Sequence, residues 1–96
     1  MLVLITYDVN TEDAAGRKRL RQIAKECVNY GQRVQYSVFE CLVNGSQCRT
    51  LKHKLCKVMD QERDSLRFYY LGQNYENKIE HFGRRQTYCP EGPLLI

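Results

Sequence analysis

Few residues in this chain offer a starting point for chemistry, and Asp8 is the most exposed to that reading. It follows directly on the apolar run Leu2-Val-Leu-Ile-Thr-Tyr7, so a rigid element would present its carboxylate at a surface. The bland alternative is an acid that only starts a turn. No Ser-His-Asp or Cys-His arrangement accompanies it, and no glycine-rich phosphate loop occurs. One carboxylate is too few for a two-metal phosphodiesterase site within a single chain, but a twofold axis doubles it. Two Asp8 side chains facing each other would form a hard-oxygen site for Mg²⁺ or Mn²⁺, an ion that keeps several waters and takes one or two carboxylates. Without the ion, such close like charges raise one carboxyl pKa, so metal binding would strengthen as pH rises. Nearby arginines would then hold the scissile phosphate and offset its growing charge.

Cations are available for that task. The net charge is +4, and between Arg17 and Arg33 six basic residues (Arg17, Lys18, Arg19, Arg21, Lys25, Arg33) stand against one acid, Glu26. Such a cluster attracts phosphate through counterion release, although the same pattern also describes a solvated helix face. Cys27, Cys41, Cys48, Cys56 and Cys89 form no CxxC pair. Cys48, His53 and Cys56 lack the four well-spaced ligands of a zinc site, so they read as buried or incidental thiols of a reduced, cytoplasmic protein. His81 reads as a strand residue.

The elements that must position these groups follow from periodicity. In the first strand Leu2, Leu4 and Thr6 share one face and Val3, Ile5 and Tyr7 the other, so both faces need covering. Segment 9–13 supplies cap chemistry through Asn10 or Thr11. A helix follows, with Leu20, Ile23, Ala24, Cys27 and Val28 as its apolar stripe and Arg17, Arg21 and Lys25 off it; Gly31 is its expected C′ residue. Arg33–Val43 is rich in β-branched and aromatic residues, and is either one bent strand or two strands meeting near Tyr36-Ser37. Asn44-Gly45-Ser46 is a turn, and 47–60 a second amphipathic helix. Ser65–Leu71 and Lys78–Phe82 are further strands. Two helices cover one face of such a sheet, and an open face this apolar favours dimerisation. No segment has the length of a membrane span, and the N-terminus lacks a basic leader region.

Tyr7-Asp8-Val9 ending the first strand, Arg17-Lys-Arg-Leu20 and Gly31-Gln-Arg-Val-Gln-Tyr-Ser-Val-Phe-Glu40 together resemble the small CRISPR-associated endonuclease family, the partner of the CRISPR integrase in spacer acquisition and antiviral defence. The likeness extends through Ser65-Leu-Arg-Phe-Tyr-Tyr-Leu71 and Ile79-Glu-His-Phe-Gly83. It implies an α+β, ferredoxin-like βαββαβ sandwich over residues 1–96 with an extra C-terminal strand. It implies further a homodimer, with the strand and tail from about residue 77 to 96 packing on the partner subunit. Asp8 would be the metal-associated, catalytic acid, with Tyr7 beside it. Arg17, Arg19, Arg33, Ser37 and Phe39 would meet nucleic acid. The implied activity is Mg²⁺- or Mn²⁺-dependent hydrolysis of single-stranded RNA or duplex DNA. The rival expectation is a non-catalytic scaffold that bridges integrase dimers and holds the prespacer duplex. Because ferredoxin-like folds host many functions, a ligand-binding regulatory module is a third reading.

Overall fold

The computed structural model describes residues 1–71 and 78–84. Its elements run β1 (Leu2–Asp8), α1 (Ala14–Val28), β2 (Gly31–Gln35), β3 (Val38–Leu42), α2 (Gly45–Val58), β4 (Ser65–Leu71) and β5 (Ile79–Gly83). The strands form one sheet in the order β2-β3-β1-β4-β5, every neighbouring pair antiparallel. This is the ferredoxin-like βαββαβ arrangement with one strand added beyond β4. β5 hydrogen-bonds to β4 of its own chain; the expected tail contact beyond residue 84 lies outside the described residues.

The long apolar segment resolves into two strands, with Tyr36-Ser37 as the turn between them. Several boundaries differ from the sequence expectation: α2 ends at Val58 and not at residue 60, β5 is shifted by one residue, and two further differences have a visible cause. Gly31 does not close α1: Asn29 caps that helix, and Gly31 opens β2. A Cβ at Gly31 would collide with the backbone of Glu40 and Cys41 on β3, so the residue serves close strand approach. α2 begins two residues earlier than its apolar periodicity predicts, because Asn44 caps it reciprocally with Gln47: the Asn44 side chain accepts from Gln47 N at 2.8 Å, and the Gln47 side chain from Asn44 N at 2.9 Å. At α1 the cap is Asp13, whose carboxylate accepts from Gly16 N at 3.0 Å.

The core lies between the sheet and the two helices. Val3, Ile5 and Tyr7 of β1, Phe39 and Cys41 of β3 and Leu66, Phe68 and Tyr70 of β4 meet Leu20, Ile23 and Cys27 of α1 and Cys48, Leu51 and Leu55 of α2. Burying such side chains contributes about 1.5–3 kcal/mol each before the entropy cost of ordering them. The opposite strand face carries Leu2, Leu4, Thr6, Val38, Leu42, Tyr69 and Leu71 together with the charged Glu40 and Arg67; Leu2, Leu42 and Leu71 are exposed. Asp8 shares the register parity of Leu4 and Thr6, so it belongs to this face, away from the helices, at its edge.

Candidate nucleic-acid and metal site

Tyr7 and Asp8 are consecutive, and the pleat of β1 sends them to opposite sides. Tyr7 is 1% exposed, in the core, and its hydroxyl donates to Asp64 Oδ2. Asp64 is wholly buried, yet every demand of its carboxylate is met. Arg19 donates from Nε to Oδ2 at 2.8 Å and from a terminal nitrogen to Oδ1 at 3.1 Å, and Asp60 N donates to Oδ2 at 2.9 Å. Burial by itself would raise the Asp64 pKa, but the donors from Arg19, Asp60 N and Tyr7 outweigh it and hold the carboxyl below its ordinary value. Burial, reinforced by the Asp64 charge, pushes the Tyr7 hydroxyl the other way, above its ordinary value. The Arg19 guanidinium is kept protonated chiefly by its hydrogen bond to Asp64. This knot ties β1, α1 and the 60–64 turn together.

Asp8 projects away from the knot with its side chain 60% exposed. Its Oδ2 lies 3.3 Å from a terminal nitrogen of Arg84. Arg84 is itself well anchored. Its backbone N donates to Asp64 O at 2.7 Å, its carbonyl accepts from Ser65 Oγ at 2.6 Å, and its Nε donates to Arg63 O at 3.0 Å. Gly83 makes that path available: its φ of 95° is disfavoured for side-chain-bearing residues, and a Cβ would run into Asp64 O. Asp8, Asn10, Asp13, Arg19, Glu62, Arg63 and Arg84 enclose an open hollow of about 540 Å³. Arg63 reaches Asp13 across it at 3.5 Å.

The remaining expected residues are spread over the molecule. Arg17 donates to Thr11 O at 2.9 Å and so braces the loop before its own helix. Arg33 sits at the far edge of the sheet, donating to Tyr36 O at 2.7 Å, with its guanidinium 5.1 Å from the centre of the Tyr36 ring and 5.5 Å from that of Phe39. Ser37 uses its carbonyl to accept from Tyr7 N at 3.0 Å. Phe39 is fully buried. A base therefore has no face of Phe39 to stack on; Tyr36, 65% exposed, is the aromatic of that region open to solvent. Likewise Tyr7 and most of Arg19 are occupied by Asp64 and hold the site's frame instead of facing a ligand.

Asp64, Arg84 and Arg63 were missed by sequence reasoning. Asp64 sits in the polar stretch Asp60-Gln-Glu-Arg-Asp64, which reads as solvated loop. The available signal was Tyr7: a core tyrosine needs a partner for its hydroxyl.

For a divalent cation, the expected donor is the Asp8 carboxylate, with Asp13 and Glu62 elsewhere on the same hollow. Among the described residues no group of three His, Cys, Asp or Glu side chains converges. An exposed hard carboxylate fits Mg²⁺ or Mn²⁺ as one ligand of a largely hydrated ion, and as one of two when a second copy supplies its own. No described helix is long and apolar enough to cross a membrane.

Comparison with known proteins adds to this geometry. The family described as CRISPR associated protein Cas2 matches residues 1–79. The chain is 62% identical to a CRISPR-associated endoribonuclease Cas2 of Nitratidesulfovibrio vulgaris, over all of this chain and 94% of that protein. It is 56% identical to a CRISPR-associated endonuclease Cas2 of Halalkalibacterium halodurans, over the whole of both. The crystal structure of Streptococcus pyogenes Cas2 at pH 6.5 is similar at a TM-score of 0.74 and 57% identity, covering 86% of this chain and all of that one.

Proposed function

Since the chain belongs to the CRISPR associated protein Cas2 family, we propose that it is an endonuclease of CRISPR adaptation that hydrolyses nucleic-acid phosphodiesters as a homodimer, with Asp8 at its centre. The observation that carries this reading is the contrast at the end of β1. Tyr7 is locked inward, while Asp8 stands on the side of the sheet away from the helices with its carboxylate accessible. The trough on that side, lined by Leu4, Thr6, Val34, Val38, Tyr69 and Leu71, is the surface a second copy would cover. Because Asp8 belongs to the same face, a twofold pairing there can bring two Asp8 carboxylates towards one another.

In this scheme Asp8 and its counterpart hold Mg²⁺ or Mn²⁺. The ion, when bound, would supply Lewis acidity towards a phosphoryl oxygen and lower the pKa of a bound water. The rest falls to the chain itself. Arg84 sets a guanidinium at the Asp8 oxygen, where it can exchange its carboxylate partner for a phosphate. Arg63, which lines the same hollow, adds positive charge along the approach. Tyr7, Arg19 and Asp64 keep the end of β1 rigid, so the Asp8 backbone does not move as charge develops.

The relatives' names speak for RNA in one case and for nuclease action in general in another; the proposal includes both RNA and duplex DNA as substrates. A scaffold reading, in which the dimer bridges copies of the CRISPR integrase and holds duplex DNA without cutting it, draws on the lack of a three-ligand cluster among the described residues and on the pairing of Asp8 with Arg84. The deciding experiment compares wild type with Asp8→Asn for divalent-metal-dependent cleavage of RNA and of duplex DNA, assayed separately across a pH series. Loss of cleavage with retained binding supports the nuclease. Equal cleavage by both proteins, in preparations free of contaminating nuclease, removes Asp8 from the mechanism. Integration that proceeds unchanged in Asp8→Asn favours the scaffold.

A further inference from the structure

A second cationic site lies at the other end of the central strands. A cleft of about 440 Å³ opens between the first half of α2 and the end of β4, lined by Met1, Cys48, Arg49, Lys52, Tyr70 and Lys78. Three side-chain cations, Arg49, Lys52 and Lys78, line it, and among the described residues the carboxylate that contacts its lining is Glu80. That acid is already committed: its Oε1 accepts from Lys52 Nζ at 2.9 Å and from the Tyr70 hydroxyl at 2.6 Å. The Lys52 and Lys78 ammonium groups lie 5.6 and 5.4 Å from the centre of the Tyr70 ring, so one buried aromatic carries two cations. Arg49 is exposed and has no carboxylate partner among the described residues. A recess with low-dielectric walls and an excess of one charge focuses its field on whatever enters.

We infer that this cleft binds a backbone phosphate of nucleic acid, at a point separate from the Asp8 site. The side chains define the chemical class. A guanidinium fork can take two phosphate oxygens and two lysines can act as point charges beside it, whereas Tyr70 is 6% exposed and offers no face for a base. Recognition is therefore of phosphate and indifferent to sequence. The sheet register gives the displacement along the strands. Asp8 pairs with Ser65 and Val3 with Tyr70 on the same ladder, a separation of five residues, or about 17 Å at about 3.4 Å per residue. Tyr70 shares the helix-covered face with Leu66 and Phe68, opposite the face carrying Leu4 and Thr6. A second copy on the open face thus lies on the side away from the cleft, and each dimer would carry two such contacts.

That the phosphate belongs to nucleic acid rests on the function proposed above, and the experiment separates the two ideas. Binding of fluorescent RNA and duplex DNA is measured against salt for wild type, for Arg49→Glu/Lys78→Glu, and for Lys57→Glu, which makes the same kind of charge change in the last turn of α2. The double variant is expected to bind about tenfold more weakly or worse, with the salt slope shallower by about one, while Lys57→Glu keeps the wild-type slope. Wild-type affinity and slope in the double variant, or an equal loss in Lys57→Glu, overturns the inference and leaves the proposed function standing. Should wild type bind no nucleic acid at low salt, the proposed function fails, and titration with inorganic phosphate followed by NMR decides the cleft. Shifts of the Cys48 and Tyr70 amides that vanish in the variant support it, and their absence in wild type overturns it. Arg49→Gln alone serves the same comparison if the double variant does not fold.

Discussion

Asp64 and Asp8 are both aspartates beside an arginine, at neighbouring ends of β4 and β1, yet their surroundings are opposite. Asp64 is buried and saturated by four donors from Tyr7, Arg19 and Asp60. Asp8 is exposed, and among the described residues its side chain has one long contact, to Arg84. A buried charge is tolerated only when its hydrogen bonds are complete, and then it can do nothing else. A carboxylate that is to take a cation must keep oxygen lone pairs in reserve. Under the proposed function the molecule divides structural and chemical work between the two acids, with Tyr7-Asp8 as the joint where the division occurs.

Substitutions at the two acids should therefore separate cleanly. Asp8→Asn is expected to lower metal-dependent cleavage by roughly 10³-fold, about 4 kcal/mol of barrier, while its melting temperature stays near wild type. A large thermal loss in that variant would merge the two regions. Asp64→Asn should do the reverse in stability: removing the charge that Arg19 and Tyr7 face costs about 3–5 kcal/mol by denaturant unfolding. A midpoint close to wild type would mean the knot does not carry the load assigned to it.

The pH dependence sharpens the same contrast. Asp64 has a folded pKa below its unfolded value of about 3.9, so its contribution is complete above that value and is lost as pH falls through the folded pKa. Tyr7 is raised in the folded state, so its contribution is complete below about pH 10 and declines as pH rises towards the folded pKa. Unfolding midpoints measured at both extremes should fall in wild type, with the acid fall reduced in Asp64→Asn and the alkaline fall reduced in Tyr7→Phe. Tyr7→Phe at neutral pH should cost about 1–2 kcal/mol, since Asp64 keeps Arg19 and Asp60 as donors. The smallest effect is expected at Arg84→Gln. Releasing Asp8 from a solvent-screened pair should tighten Mn²⁺ binding only a few-fold, measurable by paramagnetic relaxation; weaker binding would mean that Arg84 orients Asp8 and does not compete for it.

Much of this architecture was legible from spacing. Alternation in β1 separated Val3, Ile5 and Tyr7 from Leu2, Leu4 and Thr6, and the structure buries the first set under the helices. The three- and four-residue steps of α1 put Leu20, Ile23 and Cys27 inside and Arg17 and Arg21 outside. Caps were harder to place, because Asn10, Thr11 and Asp13 all have suitable side chains and only the approach of the chain selects Asp13. At the site, the exposure of Asp8 followed from its position after an apolar strand. The inward turn of Arg19 did not, since its partner lies 45 residues away.

By itself the sequence determined the strands and helices, the family resemblance and the singular position of Asp8, because those depend on local periodicity and on side chains close together in the chain. Only the tertiary structure decided that Arg19 serves Asp64, that Phe39 is core, that Arg84 meets Asp8, and that Arg49, Lys52 and Lys78 share one cleft. Each of those facts depends on strand order and register, which bring distant segments within hydrogen-bond or Coulombic range, and no local pattern encodes that distance.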